Sequence, residues 1–231
     1  MTGVPAWLTI VSWTLISLAL LSAVLILADI FLRDYRQHMR IMEVVWPVTA
    51  LYFGPLALVA YAKWGRSASH RWMQSHSGAM PERPFWAKVA VSATHCGAGC
   101  TLGDVIAEWT VFGFGLELLG LALPVEYVFD YVLALGVGIL FQYFAIAPMR
   151  HLALGEGLKM AAKADFLSLT AFEIGLFGWM AITQFVFFSS PHLSTNHAAF
   201  WFLMQVGMVI GFATSYPMNW WLIRHGIKEA M

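Results

Sequence analysis

Residues 7–31 read WLTIVSWTLISLALLSAVLILADIF, with Asp29 as the sole charged side chain. An α-helix needs about 20 consecutive apolar residues to cross a hydrocarbon core roughly 30 Å thick. This tract supplies them before Arg33, Asp34 and Arg36 stop it. It is too long for an ordinary buried strand. Further apolar tracts run from about Val44 to Trp64, Trp86 to Leu119, Pro124 to Ala147, Phe166 to Phe188 and Ala198 to Ile223. The fold expected is all-α: a polytopic membrane bundle of six transmembrane helices, with residues 1–231 forming one integral membrane domain.

Composition agrees. The chain is 60% hydrophobic and 11% charged, against about 25% charge in a soluble domain, and its mean hydropathy is +0.70. A zero net charge gives no electrostatic footprint for nucleic acid. The first apolar run lacks a preceding basic segment and a small-residue cleavage site, so it reads as a retained span rather than a signal peptide. With six spans, both termini and two loops share a side carrying ten Lys and Arg, from Lys63 to Lys228, while Arg33, Arg36 and Arg40 lie opposite. Basic residues gather on the cytoplasmic side, so cytoplasmic termini and an inner or cytoplasmic membrane location are expected.

The third tract is expected to be long and tilted, or broken at Gly97, Gly99 and Gly103. The connector from Pro148 to Asp165 is expected to form a short interfacial helix. Pro47 and Pro55 are expected to bend the second span.

The third tract also carries the chemistry. His95 and Cys96 are followed by Cys100, Asp104 and Glu108; the last four of these residues recur every four positions and form one slanting stripe on a helix. Imidazole and thiolate suit copper or zinc, and a carboxylate can complete a zinc site. The metal ligands expected are therefore His95, Cys96, Cys100 and Asp104, with Glu108, Asp130 and Glu173 as a proton relay. Ionisable groups in hydrocarbon are costly unless paired or used. Two other readings stay open: thiol redox chemistry, and plain packing in which the cysteines are inert and the glycines let backbones approach. Met204 and Met208, four apart, either line a soft-metal path or fill space. His192 and His197 mark an entrance on the uncharged loop, or an ordinary surface.

The run His95-Cys96-x-x-Gly99-Cys100-x-x-Gly103-Asp104, with Lys163-Ala164-Asp165, Phe172-Glu173-x-Gly175 and the Met204-Gln205 to Met218-Asn219 region, resembles a bacterial integral-membrane family of unknown function. The resemblance implies a membrane protein with no assigned substrate, some of whose relatives look like companions of metal-handling systems. The function expected is a copper- or zinc-binding membrane permease, or a membrane subunit serving a metal-handling protein. The alternatives are a thiol or haem-dependent oxidoreductase, although no Cys-x-x-Cys-His haem motif is present, and a structural assembly subunit. No phosphate-binding glycine loop occurs, which disfavours an ATP-driven pump.

Overall fold

A computed structural model describes residues 4–76, 82–118, 122–150 and 153–229, without the side chains of 146–150. The described chain is helical: α1 (Ala6–Phe31), α2 (Met42–Phe53), α3 (Pro55–Ala60), α4 (His70–Ser75), α5 (Phe85–Phe114), α6 (Leu123–Arg150), α7 (Leu154–Ile182) and α8 (Ala198–Arg224). Helix α3 continues through a π-helical turn at Tyr61–Gly65, and α7 through another at Thr183–Phe187. Four stretches among the described residues are long and apolar enough to cross a membrane: Ala6–Phe31, Leu123–Ala145, Leu154–Phe187 and Ala198–Arg224. Helix α5 equals them in length but carries Lys88, Asp104 and Glu108.

The expected second span is corrected. Gly54, at φ 54° and ψ −131°, ends α2, and Pro55 opens α3 in a new direction. This backbone conformation belongs to glycine, and proline can begin a helix because its missing N–H would go unused there. The two pieces fold back on each other. Trp46 meets Tyr61 edge-on with ring centroids 5.8 Å apart, and a Cβ on Gly65 would lie 3.0 Å from Trp46. A straight helix would separate Trp46 and Tyr61 by roughly 22 Å.

Both feet of this helical hairpin stand at the end of the bundle where α1 finishes. Asp29 accepts hydrogen bonds from Tyr61 at 2.9 Å and from Arg66 at 2.9 Å, and Gln37 pairs with Ser69 in an antiparallel bridge. The hairpin tip reaches mid-depth, where Gly54 lies against Ala19, near the middle of α1. Twelve residues in α2 give about 18 Å, half of a bilayer. Breaking the helix frees carbonyls at the tip, and the Leu51 carbonyl accepts a hydrogen bond from Gln205 Nε2 on α8 at 2.6 Å. Irregular backbone at such depth survives where neighbouring protein satisfies it.

Leu8 of α1 shares an apolar cluster with Leu193 and Ala199, and the Ser92 hydroxyl near the start of α5 donates to the Glu229 carbonyl at 3.3 Å. One further expectation changes. The Pro148 to Asp165 segment is not a surface helix, since α6 runs to Arg150 and the first turns of α7 occupy the rest of its described part. Helix α5 is unbroken over 30 residues and stops at Gly115, whose φ of 59° caps it. Leu119, the expected end of the third span, lies outside the described residues.

Helices α5 and α6 are antiparallel and in close contact. A Cβ on Gly99 would stand 2.6 Å from the Gly138 Cα, and one on Gly103 would overlap the Ala134 backbone. These two glycines therefore serve backbone approach, as small residues do between membrane helices.

Candidate functional site

Three helices present polar residues at four-residue spacing toward one another. Helix α5 contributes Cys96, Cys100, Asp104 and Glu108, all buried. Helix α6 contributes Glu126, Asp130 and Gln142 from the positions 126, 130, 134, 138 and 142, where Ala134 and Gly138 are the close contacts to α5. Helix α7 contributes Asp165 and Glu173, two turns apart. Asp104 is within electrostatic reach of Glu173, Asp130 and Glu108, and Cys100 of Glu173 and Asp104. From Cys96 to Glu108 the stripe is about 18 Å long.

At one end the polar groups pair with one another, although Asp165 Oδ2 is left without a partner. The Cys96 thiol lies 2.8 Å from Asp165 Oδ1 and 2.8 Å from Ser168 Oγ. Lys228 Nζ donates to Cys96 Sγ at 2.9 Å and to Asp165 Oδ1 at 2.6 Å. Asn219 Nδ2 donates to Ser168 Oγ at 2.6 Å. Lys228 follows α8, and Gly226 at φ 66° turns the chain back so that the Lys228 side chain enters the bundle with 0% exposure. Burial alone would lower its pKa, but the Asp165 carboxylate and the Cys96 sulfur reverse that and raise it above the ordinary lysine value. Sequence reading missed Lys228, Ser168 and Asn219. The signal was a lone glycine and lysine just past the last apolar run.

In the middle the reverse holds. Both carboxylate oxygens of Asp104 and of Glu173, and Asp130 Oδ1, are buried without a hydrogen-bond partner. The Glu173 carboxylate faces the Cys100 thiol without a well-formed hydrogen bond to it. Beyond them the Thr195 hydroxyl donates to Glu108 Oε2 at 3.4 Å. Thr195 also lines a cavity of about 390 Å³ with Glu117, Glu126, Gln184 and His192 at the opposite end of the bundle from Lys228. Glu126 was not singled out from sequence, although it sits one turn before Asp130 and so mirrors the Asp104 and Glu108 pair.

The four expected ligands do not form one centre. Among the described residues no three or more His, Cys, Asp or Glu side chains form a group that could hold a metal ion. Cys96 belongs to the Lys228 cluster and Asp104 to the carboxylate group one and two turns on. His95 is 1% exposed and both ring nitrogens lack a partner. Cys96 and Cys100 are both free and fully buried. Met204 and Met208 line a separate cavity of about 160 Å³ with Leu51, Thr101 and Gln205, and the Met208 sulfur accepts from the Thr101 hydroxyl at 3.6 Å. His197 caps α8 through the Ala199 N–H at 3.1 Å, while His192 faces the larger cavity.

Long apolar helices enclosing a stripe of acids and thiols define a polytopic membrane protein with a polar interior. The chain belongs to a family described as a domain of unknown function, DUF4396, whose model matches residues 85–228. That match runs from the start of α5 through Lys228 and contains every member of the stripe; α1 and the hairpin lie outside it. No curated protein and no solved structure matches.

Proposed function

We propose that the protein is a membrane permease that moves a transition-metal cation, copper or zinc, in exchange for protons. The observation that carries this reading is the partnerless pair Asp104 and Glu173, whose four carboxylate oxygens are buried without a hydrogen bond. An isolated ionised carboxylate in hydrocarbon is too costly to persist, so each is held neutral until a cation arrives and a proton leaves. Cys100 adds a soft donor beside them, and thiol deprotonation couples metal binding to proton release.

The same reading places five crossings, α1 and α5 to α8, around a re-entrant hairpin. All 13 Lys and Arg then belong to segments at the Lys228 end. That end is cytoplasmic by the positive-inside rule, in an inner or plasma membrane, and the cavity at Glu126 faces outward. Cys96, with its hydrogen-bond capacity used, is structural.

The test is purified protein in liposomes loaded with a pH-sensitive dye. An inward gradient of Zn(II), or of Cu(I) under anaerobic conditions, should drive proton efflux that Asp104→Asn and Glu173→Gln abolish. Equal dye signals in protein-containing and empty liposomes for both metals would sink the reading.

A further inference from the structure

The hairpin delivers one side chain to the middle of the stripe. Tyr52, the penultimate residue of α2, packs in one cluster with Cys96, Cys100 and Phe172. Its hydroxyl would lie 2.5 Å from a Cβ on Gly97, so glycine at that position is what admits the ring against α5. No well-formed hydrogen bond reaches that hydroxyl; Thr49, a turn earlier, commits its own hydrogen to the Val45 carbonyl at 2.7 Å. The Thr49 oxygen is the nearby group that can still accept from that hydroxyl.

The hairpin is anchored unequally. Its feet hold Asp29, Tyr61 and Arg66 together and pair Gln37 with Ser69, whereas its tip has the Gln205 bond to the Leu51 carbonyl and apolar packing such as Phe53 on Phe212. An element half a bilayer long, held at its feet by an ion pair and hydrogen bonds and at its tip by one hydrogen bond and apolar packing, can swing at the tip. Discontinuous helices meeting at mid-depth are how many transporters build their central sites.

We propose that the α2–α3 hairpin is the internal gate of the pathway, and that Tyr52 closes it between Cys100 on the carboxylate side and Cys96 on the Lys228 side. In the structure described here the gate is shut. The inference rests on the permease reading, and the native cysteines allow it to be tested without transport, because both share the cluster of Tyr52.

The experiment uses the Cys96→Ser protein in lipid nanodiscs, leaving Cys100 as the reporter, with a small cationic methanethiosulfonate and intact-mass detection. Tyr52→Ala should speed modification of Cys100 by about tenfold or more. Tyr52→Phe keeps the ring and should leave the rate at or below the parent's. Gln205→Leu, which frees the tip, should raise it by a smaller factor. A monodisperse Tyr52→Ala protein modified at the parent's rate overturns the gate; should that variant not fold, an unchanged rate in Gln205→Leu does so. Faster labelling without metal-driven proton flux would sink the permease reading alone, and flux with unchanged labelling would sink the gate alone.

Discussion

The two ends of the α5 stripe hold the same kinds of groups in opposite states. Around Cys96 the thiol, one oxygen of a carboxylate, an ammonium, a hydroxyl and an amide hydrogen-bond to one another, while Asp165 Oδ2 has no partner. Two turns away Asp104 and Glu173 are equally buried and have no hydrogen-bond partner. A buried charge that is paired and hydrogen-bonded can hold helices in register; one with nothing to bind is a cost that folding alone does not explain. Burial of an acid in a membrane helix therefore says little until its partners are known. The cluster that holds an ammonium is read as a fastening and the one without a cation as the place where something passes.

Removing Lys228 should break the comparison most forcefully if the fastening reading is right. Lys228→Met strands the Asp165 carboxylate and should cost about 3–5 kcal/mol, seen as a large drop in thermal unfolding temperature in detergent. Lys228→Met with Asp165→Leu should recover most of the loss. Asp104→Asn and Glu173→Gln should abolish metal-driven proton flux while leaving the unfolding temperature unchanged or raised. A stability loss matching that of Lys228→Met would erase the distinction between the two ends.

Cysteine replacement sharpens the same contrast. Cys100→Ser should weaken zinc or copper binding by about 10-fold or more, measured by elemental analysis after anaerobic loading. Cys96→Ser should leave it nearly unchanged and lower thermal stability by about 1 kcal/mol, the scale of one hydrogen bond. The smallest effect concerns pH. The Lys228 pKa is raised on folding, so its contribution is fully present below the unfolded value of about 10.4 and is lost only as pH rises through the folded value. The stability gap between wild type and the Lys228→Met, Asp165→Leu double variant should therefore stay constant from about pH 6 to 9; a gap that changes within that window would mean that Lys228 loses its proton there.

Much of this was legible in the sequence. The long apolar helices follow from tract length, and the facing of Cys96, Cys100, Asp104 and Glu108 from helical periodicity alone. The hairpin was hidden because hydropathy measures only how many apolar residues occur in a row. Residues 44–64 satisfy that measure whether the helix crosses or turns at mid-depth. Gly54 followed by Pro55 was the available clue, and proline by itself suggested a bend. The division of the stripe was hidden for another reason. Which acid meets a cation depends on residues as distant as Asp165 and Lys228, and no local pattern encodes that pairing.

The position of Lys228 in the chain has a consequence in time. It is synthesised after each of the helices α1 to α8, yet it supplies the ammonium that ties α5, α7 and α8 at one end of the bundle. While those helices enter the membrane, Asp165 and Cys96 wait without it. These helices are thus assembled loose and locked afterwards, and a chain halted before Gly226 would contain α1 to α8 but none of that closure.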